Sequence, residues 1–456
     1  MQKHILYLIF YIFTTYFANA QISTDTVFAK SVDSLLSAQF KPEEPGCVVL
    51  IAKKGKIIYK KAFGAADLEL KVAMQPYMIF RLGSITKQYT AVAILQLVEQ
   101  RKISLQDSIQ KFIKNFPYKG QTITIENLLT HTSGIIDYQK LDVHIPFSWR
   151  IDFPAKQIVD SLANRPLEFI PGTQFSYSNS NFFLLGYIIE IASGMPYPEY
   201  MQQNIFVPLG LLKTYYDYTN EIIPNRVRGY SRSDSGKYQN AEYIGMSQAY
   251  SAGALMSNAE DLFNWHQALY TGKIIKTETL EKAFTPFKLT DGSFTKYGYG
   301  WYINPTDGIK SIEHAGRIEG FRSNEMYLPD QDIFITTLLN CENDKTLLLA
   351  NSIAALAIGK STQGNVLVND NILNTYLGVY QMVSNPKRTI IIAKEFEQIL
   401  VQFSQSTNIP MIPLTETKFR LQGVNPPATI EFVKENDKVI KLIVSQNGLY
   451  VWKKIK

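Results

Sequence analysis

Ser84 and Lys87 are the residues whose types and spacing most clearly allow chemistry. They lie in the stretch Phe80-Arg-Leu-Gly-Ser-Ile-Thr-Lys87, before a run with helical periodicity from Tyr89 to Gln100. A serine at a helix start lies near free backbone N–H groups, and a lysine three residues later lies one turn away on the same face. The serine hydroxyl becomes nucleophilic when a base takes its proton, and a lysine with a lowered pKa can be that base. The alternative is an N-capping serine followed by a surface lysine, because S-x-x-K alone is common.

Two later stretches carry polar residues that fit the same chemistry. Tyr177-Ser-Asn179 follows a turn-rich segment, and a tyrosine near a lysine can exchange protons with it and act as a general acid. Asn179 can hold the lysine and a substrate amide. Glu313-His-Ala-Gly-Arg317 indicates a strand end where Gly316 allows a ligand to approach the backbone, with His314 as a polar side chain at the edge. Each stretch alone also fits a packed tyrosine in a turn or a surface histidine.

The order S-x-x-K, Y-x-N and H-x-G resembles the serine β-lactamase and penicillin-binding-protein superfamily. Three flanking stretches resemble its class C-like, β-lactamase-related branch: Ile123–Ile135, Ser251–Leu262 and Tyr297–Trp301. The resemblance covers about residues 30 to 360, and the segment from Tyr376 resembles the small β domain that often follows such catalytic domains.

The resemblance implies a role for each matching residue. Ser84 becomes the acylated nucleophile, Lys87 its base and Tyr177 the acid/base partner, with Asn179 as a positioning group. His314 would face the carboxylate or carbonyl side of the substrate. The backbone N–H groups of Ser84 and Arg317, the latter preceded by Gly316, would form the oxyanion hole. The resemblance implies no cofactor, and His131 is expected to be a packing residue.

His314-Ala-Gly316 departs from the K-T-G of class C β-lactamases that destroy antibiotics. The H-x-G form is more similar to the esterases and D-amino-acid peptidases of the superfamily. The leading hypothesis is therefore a serine hydrolase that acts through an acyl-enzyme on an ester or a D-amino-acid-containing amide. A D-alanyl-D-alanine carboxypeptidase (a penicillin-binding protein), a β-lactamase and a catalytically silent binding protein stay as alternatives. A Ser-His-Asp hydrolase is disfavoured, since Ser84 lacks the G-x-S-x-G signature.

The surrounding pattern predicts the elements that must position these residues. A helical segment (24–40) and a hairpin (47–62) precede the Ser84 region, a mostly helical insertion covers residues 103–285, and strands return over 297–340 before a helix to 358. We expect an α/β (α+β) fold, an antiparallel sheet flanked by helices with an inserted helical subdomain. The predicted domains are the catalytic domain (21–360), a linker (361–375) and a small antiparallel β domain, sandwich or barrel (376–456).

Residues 1–20 predict a secretory signal peptide. A basic start at Lys3 and His4 precedes an apolar run, and Ala18-Asn-Ala20 is typical of a cleavage site. We therefore expect export to the periplasm or medium, without stable membrane insertion after cleavage. The alternative is an uncleaved anchor. A small-molecule or peptide substrate fits this location, and cell-wall material is one source of such substrates.

Composition excludes several other classes. The formal net charge is +6, but the basic residues are scattered, which does not indicate nucleic-acid binding. The five histidines have no metal-site spacing, so no metal is predicted. Cys47 and Cys341 lie in apolar strand-like runs and are expected to be buried; their pairing in a disulfide is left open.

Overall fold

The computed structural model describes residues 26–456 except 115, 118–119, 142–149, 234, 307–308, 343–345, 360–367, 369, 396–397, 404–407, 423, 425, 436–437 and 456. The predicted signal peptide and most of the predicted linker lie outside the described residues. Among the described residues, no helix is both long enough and apolar enough to cross a membrane.

The helices and strands follow one another along the chain. The helices are α1 (26–37), α2 (Thr86–Glu99), α3 (Ile125–Leu129), α4 (Ala155–Ala163), α5 (Asn179–Ser193), α6 (Tyr197–Met201), α7 (Val207–Leu209), α8 (Met246–Gly253), α9 (Ala259–Leu269), α10 (Thr277–Ala283), α11 (Thr346–Ala357) and α12 (Asp370–Tyr376). The strands are β1 (Cys47–Lys53), β2 (Lys56–Phe63), β3 (Ala65–Asp67), β4 (Val72–Ala73), β5 (Phe80–Arg81), β6 (Tyr215–Tyr216), β7 (Tyr230–Arg232), β8 (Tyr238–Asn240), β9 (Leu255–Ser257), β10 (Tyr302–Thr306), β11 (Ile309–Ile318), β12 (Phe321–Leu328), β13 (Ile333–Leu339), β14 (Gly378–Met382), β15 (Asn385–Glu395), β16 (Gln398–Phe403), β17 (Ile409–Pro413), β18 (Lys418–Leu421), β19 (Thr429–Glu435), β20 (Lys438–Ser445) and β21 (Leu449–Lys454).

A six-stranded antiparallel sheet organises the N-terminal part of the chain, in the order β10-β11-β12-β13-β1-β2. The early strand β1 pairs with the late strand β13, with Cys47 opposite Leu339 and Lys53 opposite Ile333. Six of the seven residues of β1 are buried, because both faces of the sheet are covered. Strands from both ends of the region therefore share one sheet, as the sequence predicted.

Helices cover both faces of this sheet. On one face, Val32 of α1 and Ile353 of α11 belong to the same buried cluster as Val49 and Ile335. On the other face, Val48 and Leu50 join a larger cluster that includes α2, α5 and α9. The helices between residues 125 and 283 thus form the predicted insertion (103–285), packed on the sheet rather than separate from it.

The C-terminal part is a closed antiparallel barrel of eight strands, β14 to β21. Aliphatic and aromatic side chains fill its interior. Tyr376 of α12 stacks on Phe432 at 4.0 Å between ring centroids. The prediction of a small antiparallel β domain is confirmed. Sequence reasoning missed β17 and β21. The strand β17 contains Pro410 and Pro413, and proline cannot donate to a strand ladder and is usually confined to edges.

The two cysteines are buried and free, so the structure contains no disulfide between them. Cys47 lies in β1, and Cys341 lies just after β13. Both behave as small apolar side chains in the core.

A small three-stranded sheet, β5-β9-β6, leads the chain into the Ser84 region. Arg81 of β5 and Arg226 both contact Asp217, with N–O distances of 2.7 and 2.9 Å, and the Asp217 side chain is only 1% exposed. A buried carboxylate without partners is costly, so the two guanidinium groups offset the cost of burying Asp217. The segment just before Ser84 is held by this contact.

We expect Asp217→Ala to lower the free energy of unfolding by about 3–5 kcal/mol, because Arg81 would lose its buried counter-charge. Chemical denaturation followed by tryptophan fluorescence measures this. Glu260→Ala is the control: it removes a surface ion pair with Lys60 whose side chains are 51% and 34% exposed, and it should cost less than about 1 kcal/mol. Equal losses in both variants would contradict the prediction.

Candidate active site

Ser84 lies in a 3-10 turn, Gly83–Ile85, that runs directly into α2. Its side chain is partly exposed. Gly83 has φ +53°, and a Cβ atom there would lie 2.8 Å from the backbone nitrogen of Arg317. Only glycine accommodates both the backbone angle and this approach. The turn therefore places Ser84 against the β11 strand.

Lys87 is completely buried, one helical turn after Ser84. Its Nζ donates to Ser84 Oγ, Asn179 Oδ1 and the Ala252 carbonyl oxygen, each at 2.9 Å. Burial lowers the pKa of Lys87 to about 7, and the nearby Asp137 carboxylate offsets part of this shift. At neutral pH the site thus contains a substantial fraction of neutral amine.

The three acceptors around Lys87 define the direction of its lone pair. The ammonium form has three N–H donors and can serve all three acceptors. The neutral amine has two N–H groups, which the Asn179 and Ala252 oxygens can accept. The lone pair then points at Ser84 Oγ, whose O–H can donate to it. This arrangement can take the hydroxyl proton from Ser84.

Tyr177 completes the contacts of the Ser84 hydroxyl. Its O–H lies 2.9 Å from Ser84 Oγ and donates to it, and its ring centroid lies 4.9 Å from Lys87 Nζ. Burial raises the pKa of Tyr177 well above its ordinary value. The phenol is therefore protonated at neutral pH and can donate a proton.

Asn179 begins helix α5 and links Lys87 to Asp137. While its Oδ1 accepts from Lys87, its backbone N–H and Nδ2 donate to Asp137 Oδ2 at 2.9 and 3.1 Å, and Nδ2 also donates to Gln139 Oε1 at 3.0 Å. These donors fix which end of the amide faces Lys87. Sequence reasoning missed Asp137, although it lies two residues beyond the flanking stretch that ends at Ile135.

His314, Gly316 and Arg317 lie on the β11 strand beyond the end of its pairing with β10. That pairing stops at Glu313, opposite Tyr302, and leaves this edge facing the Ser84 turn. A Cβ on Gly316 would lie 1.9 Å from the Leu82 carbonyl oxygen, so only glycine permits the contact. The Arg317 side chain is exposed.

The His314 ring is buried and engaged at both nitrogens. Nδ1 lies 2.6 Å from the Ala315 carbonyl oxygen and therefore carries the proton, which leaves Nε2 to accept from the Tyr297 hydroxyl at 3.0 Å. Burial, with a further contribution from Lys87, lowers the pKa of His314 to about 3. His314 is thus a neutral side chain.

His131 packs among aromatic rings beneath the site. Its ring centroid lies 4.3 Å from that of Tyr177 and 4.8 Å from that of Tyr297. Its Nδ1 accepts the Ser178 backbone N–H at 3.2 Å, and burial lowers its pKa well below the ordinary value. These contacts support the segment that carries Tyr177.

The structure brings the predicted site residues together around Ser84. Ser84, Lys87, Tyr177 and Asn179 form one hydrogen-bonded group, and the β11 residues border it. Within the part of the chain that the structure describes, no group of three or more His, Cys, Asp or Glu side chains could hold a metal ion.

Comparison with known proteins identifies relatives of most of this chain. Residues 32–358 match the β-lactamase family model. Penicillin-binding protein 4* of Bacillus subtilis is 27% identical over 425 residues, which cover 88% of this chain and 92% of that protein.

Two solved structures show the same fold. The octameric penicillin-binding protein homologue from Pyrococcus abyssi is 25% identical, with a TM-score of 0.65 and coverage of 93% of this chain and 99% of that one. The D-amino acid amidase from Ochrobactrum anthropi SV3 is 22% identical, with a TM-score of 0.63 and coverage of 74% and 99%, a likeness of fold. The resemblance inferred from the motifs is confirmed: this chain belongs to the β-lactamase family and is a serine hydrolase.

Proposed function

We propose that this protein is an exported hydrolase that forms an acyl-enzyme on Ser84 and acts on esters or D-amino-acid-containing amides. The observation that carries the proposal is the set of 2.9 Å contacts that join Ser84 Oγ to Lys87 Nζ and to the Tyr177 hydroxyl. A buried lysine with a pKa of about 7 and a protonated tyrosine supply a base and an acid on the same oxygen.

The acylation step follows from these contacts. Lys87 takes the proton of Ser84 as Oγ forms a bond to the substrate carbonyl carbon. The carbonyl oxygen becomes an oxyanion, for which the backbone N–H groups of Ser84 and Arg317 are the proposed donors. The close packing of Gly83 on the Arg317 backbone supports that placement.

Collapse of the oxyanion breaks the bond to the leaving group. Tyr177 donates its proton to the departing oxygen or nitrogen and recovers one from the protonated Lys87. Water then attacks the acyl ester, and the same lysine and tyrosine can accept and return its proton. The acid is released, and Ser84 regains its hydroxyl hydrogen.

The neutral state of His314 supports the choice of substrate class. A buried, uncharged imidazole offers no positive charge to a substrate carboxylate, which disfavours efficient β-lactamase action. The name of the Bacillus subtilis relative, a penicillin-binding protein, keeps that function as the alternative. Export is proposed on the signal-peptide pattern of residues 1–20.

We expect Ser84→Ala to abolish hydrolysis of a short-chain nitrophenyl ester by the mature protein, residues 21–456. The parent should also gain the mass of one acyl group on Ser84, as measured by mass spectrometry. Ser176→Ala, a serine of the Tyr177 loop, is the matched control and should retain activity. If the parent is inactive and unlabelled with the ester, with D-peptides and with penicillin, a silent binding protein is favoured. If Ser84→Ala is active, Ser84 is not the nucleophile.

Because the neutral form of Lys87 is the base, we expect kcat/KM to rise with pH along an acid limb centred near pH 7. Lys87→Arg should lower kcat by about 10²–10⁴, since a guanidinium stays protonated. The control Lys111→Arg changes an exposed lysine that pairs with Asp107. An activity that is flat from pH 5 to 9 would rule out Lys87 as the base.

We expect Asp137→Asn to move the acid limb to lower pH. Removal of the carboxylate takes away an interaction that raises the pKa of Lys87, while the amide oxygen can still accept from Asn179. The pH profile of kcat/KM measures the shift, with Asp107→Asn as a distant control. A limb that stays in place or moves to higher pH would contradict this account.

A further inference from the structure

One of the three acceptors of Lys87 is a backbone group, the Ala252 carbonyl. It lies 2.9 Å from Lys87 Nζ, near the end of α8 and just before β9. The direction of a backbone carbonyl oxygen is set by the conformation of the chain segment to which it belongs. The position of residues 250–254 therefore determines whether Lys87 keeps its third partner.

Tyr250 gives this segment an unusual backbone conformation. Its φ of 39° and ψ of −133° interrupt α8. A non-glycine residue in such a region costs about 1–3 kcal/mol and persists only where its surroundings fix it. The turn at Tyr250 changes the course of the chain two residues before Ala252.

Side-chain contacts with α5 hold Tyr250 in this conformation. The Tyr250 hydroxyl donates to Glu190 Oε1 at 2.6 Å, and the same oxygen accepts the Tyr197 backbone N–H at 2.9 Å. Glu190 thus ties the strained residue to α5, the helix whose first residue is Asn179. Asn179 lies on α5, and the segment that carries Ala252 is tied to α5 through Glu190. Both of the other acceptors of Lys87 therefore depend on this helix.

The neighbouring residue, Ser251, is fixed as closely. Its carbonyl accepts from Thr90 Oγ1 at 2.7 Å, and its own hydroxyl donates to the Phe182 carbonyl at 2.8 Å. A Cβ on Gly186 of α5 would lie 2.0 Å from Ser251 Oγ, so the helix and the segment are in direct contact.

We propose that Tyr250 and Glu190 are positioning residues that hold the Ala252 carbonyl on Lys87 and so direct the lysine lone pair at Ser84. The inference rests on the proposed function of Ser84 and Lys87. Neither residue is proposed to touch the substrate. Their hydrogen bond stabilises the strained turn at Tyr250, and this turn orients the Ala252 carbonyl oxygen toward Lys87.

Loss of this contact has a defined effect on proton transfer. An acceptor that bonds the ammonium form raises the pKa of a lysine, so a displaced Ala252 carbonyl should lower that of Lys87. The other titratable groups facing Lys87 are Tyr177, Asp137, His131 and His314, and none of them is altered by a change at Tyr250. The acid limb of the pH–activity profile should move to lower pH, and the lone pair of Lys87 should no longer point at Ser84.

The experiment compares Tyr250→Phe with the parent in hydrolysis of 4-nitrophenyl acetate from pH 5 to 9. We expect kcat to fall about tenfold, as for the loss of one hydrogen bond to a charged group. KM should be nearly unchanged, and the acid limb should move to lower pH. Glu190→Ala should act in the same way, whereas Glu190→Gln, which keeps an acceptor oxygen, should restore most of kcat and the limb.

Tyr200→Phe is the matched control, because it removes another buried tyrosine hydroxyl, 3.3 Å from Gln96 Oε1, away from residues 250–254. A merely structural role for Tyr250 would lower the active fraction without moving the limb. If Tyr250→Phe and Glu190→Ala keep the parent's limb and kcat, as Tyr200→Phe should, the positioning inference is wrong while the proposed function stands. If the parent itself is not acylated on Ser84 at any pH, the proposed function fails first.

Discussion

The burial of one lysine is the constraint on which the site depends. Removing an ammonium group from water disfavours its charged form, and the pKa of Lys87 falls to about 7 as a result. The same burial requires that its donors be satisfied. Three oxygens from three separate segments meet this requirement: Ser84 before α2, Asn179 at the start of α5 and Ala252 in α8. The insertion and the Ser84 turn must therefore pack in a fixed relation before Lys87 is usable.

Close backbone contacts provide that fixed relation. Gly83 lies against Arg317, Gly316 against the Leu82 carbonyl, and Gly300 against the Lys87 carbonyl, where a Cβ would lie 3.0 Å away. At each of these positions a side chain would force the sheet edge and the α2 region apart. The glycines thus bring backbone donors of the strand to the serine, which larger residues could not allow.

Local spacing made part of this site predictable. The helical turn between Ser84 and Lys87 and the order of the motifs are properties of the sequence, as is the pairing of early and late strands. Asp137 and the Ala252 carbonyl were not predictable, because an isolated carboxylate and a backbone oxygen have no distinctive pattern. The protonation of His314 depends on burial and on Tyr297, which lies in another segment. Helix α2 begins at Thr86, close to the helix start expected at Ser84. Its periodicity was recognised only from Tyr89, because this helix is buried nearly all round and lacks a clear apolar stripe.

The central pairing of β1 with β13 also has a consequence for how the protein is made. The Gly46 backbone N–H donates to Asn340 Oδ1 at 2.7 Å, across 294 positions of sequence. Contacts of such long range give a high contact order, which slows folding because the loop must close before the sheet forms. The ribosome has to synthesise nearly the whole catalytic region before β1 and β13 can pair. The six-stranded sheet can therefore close only late in synthesis, after β13 has been made.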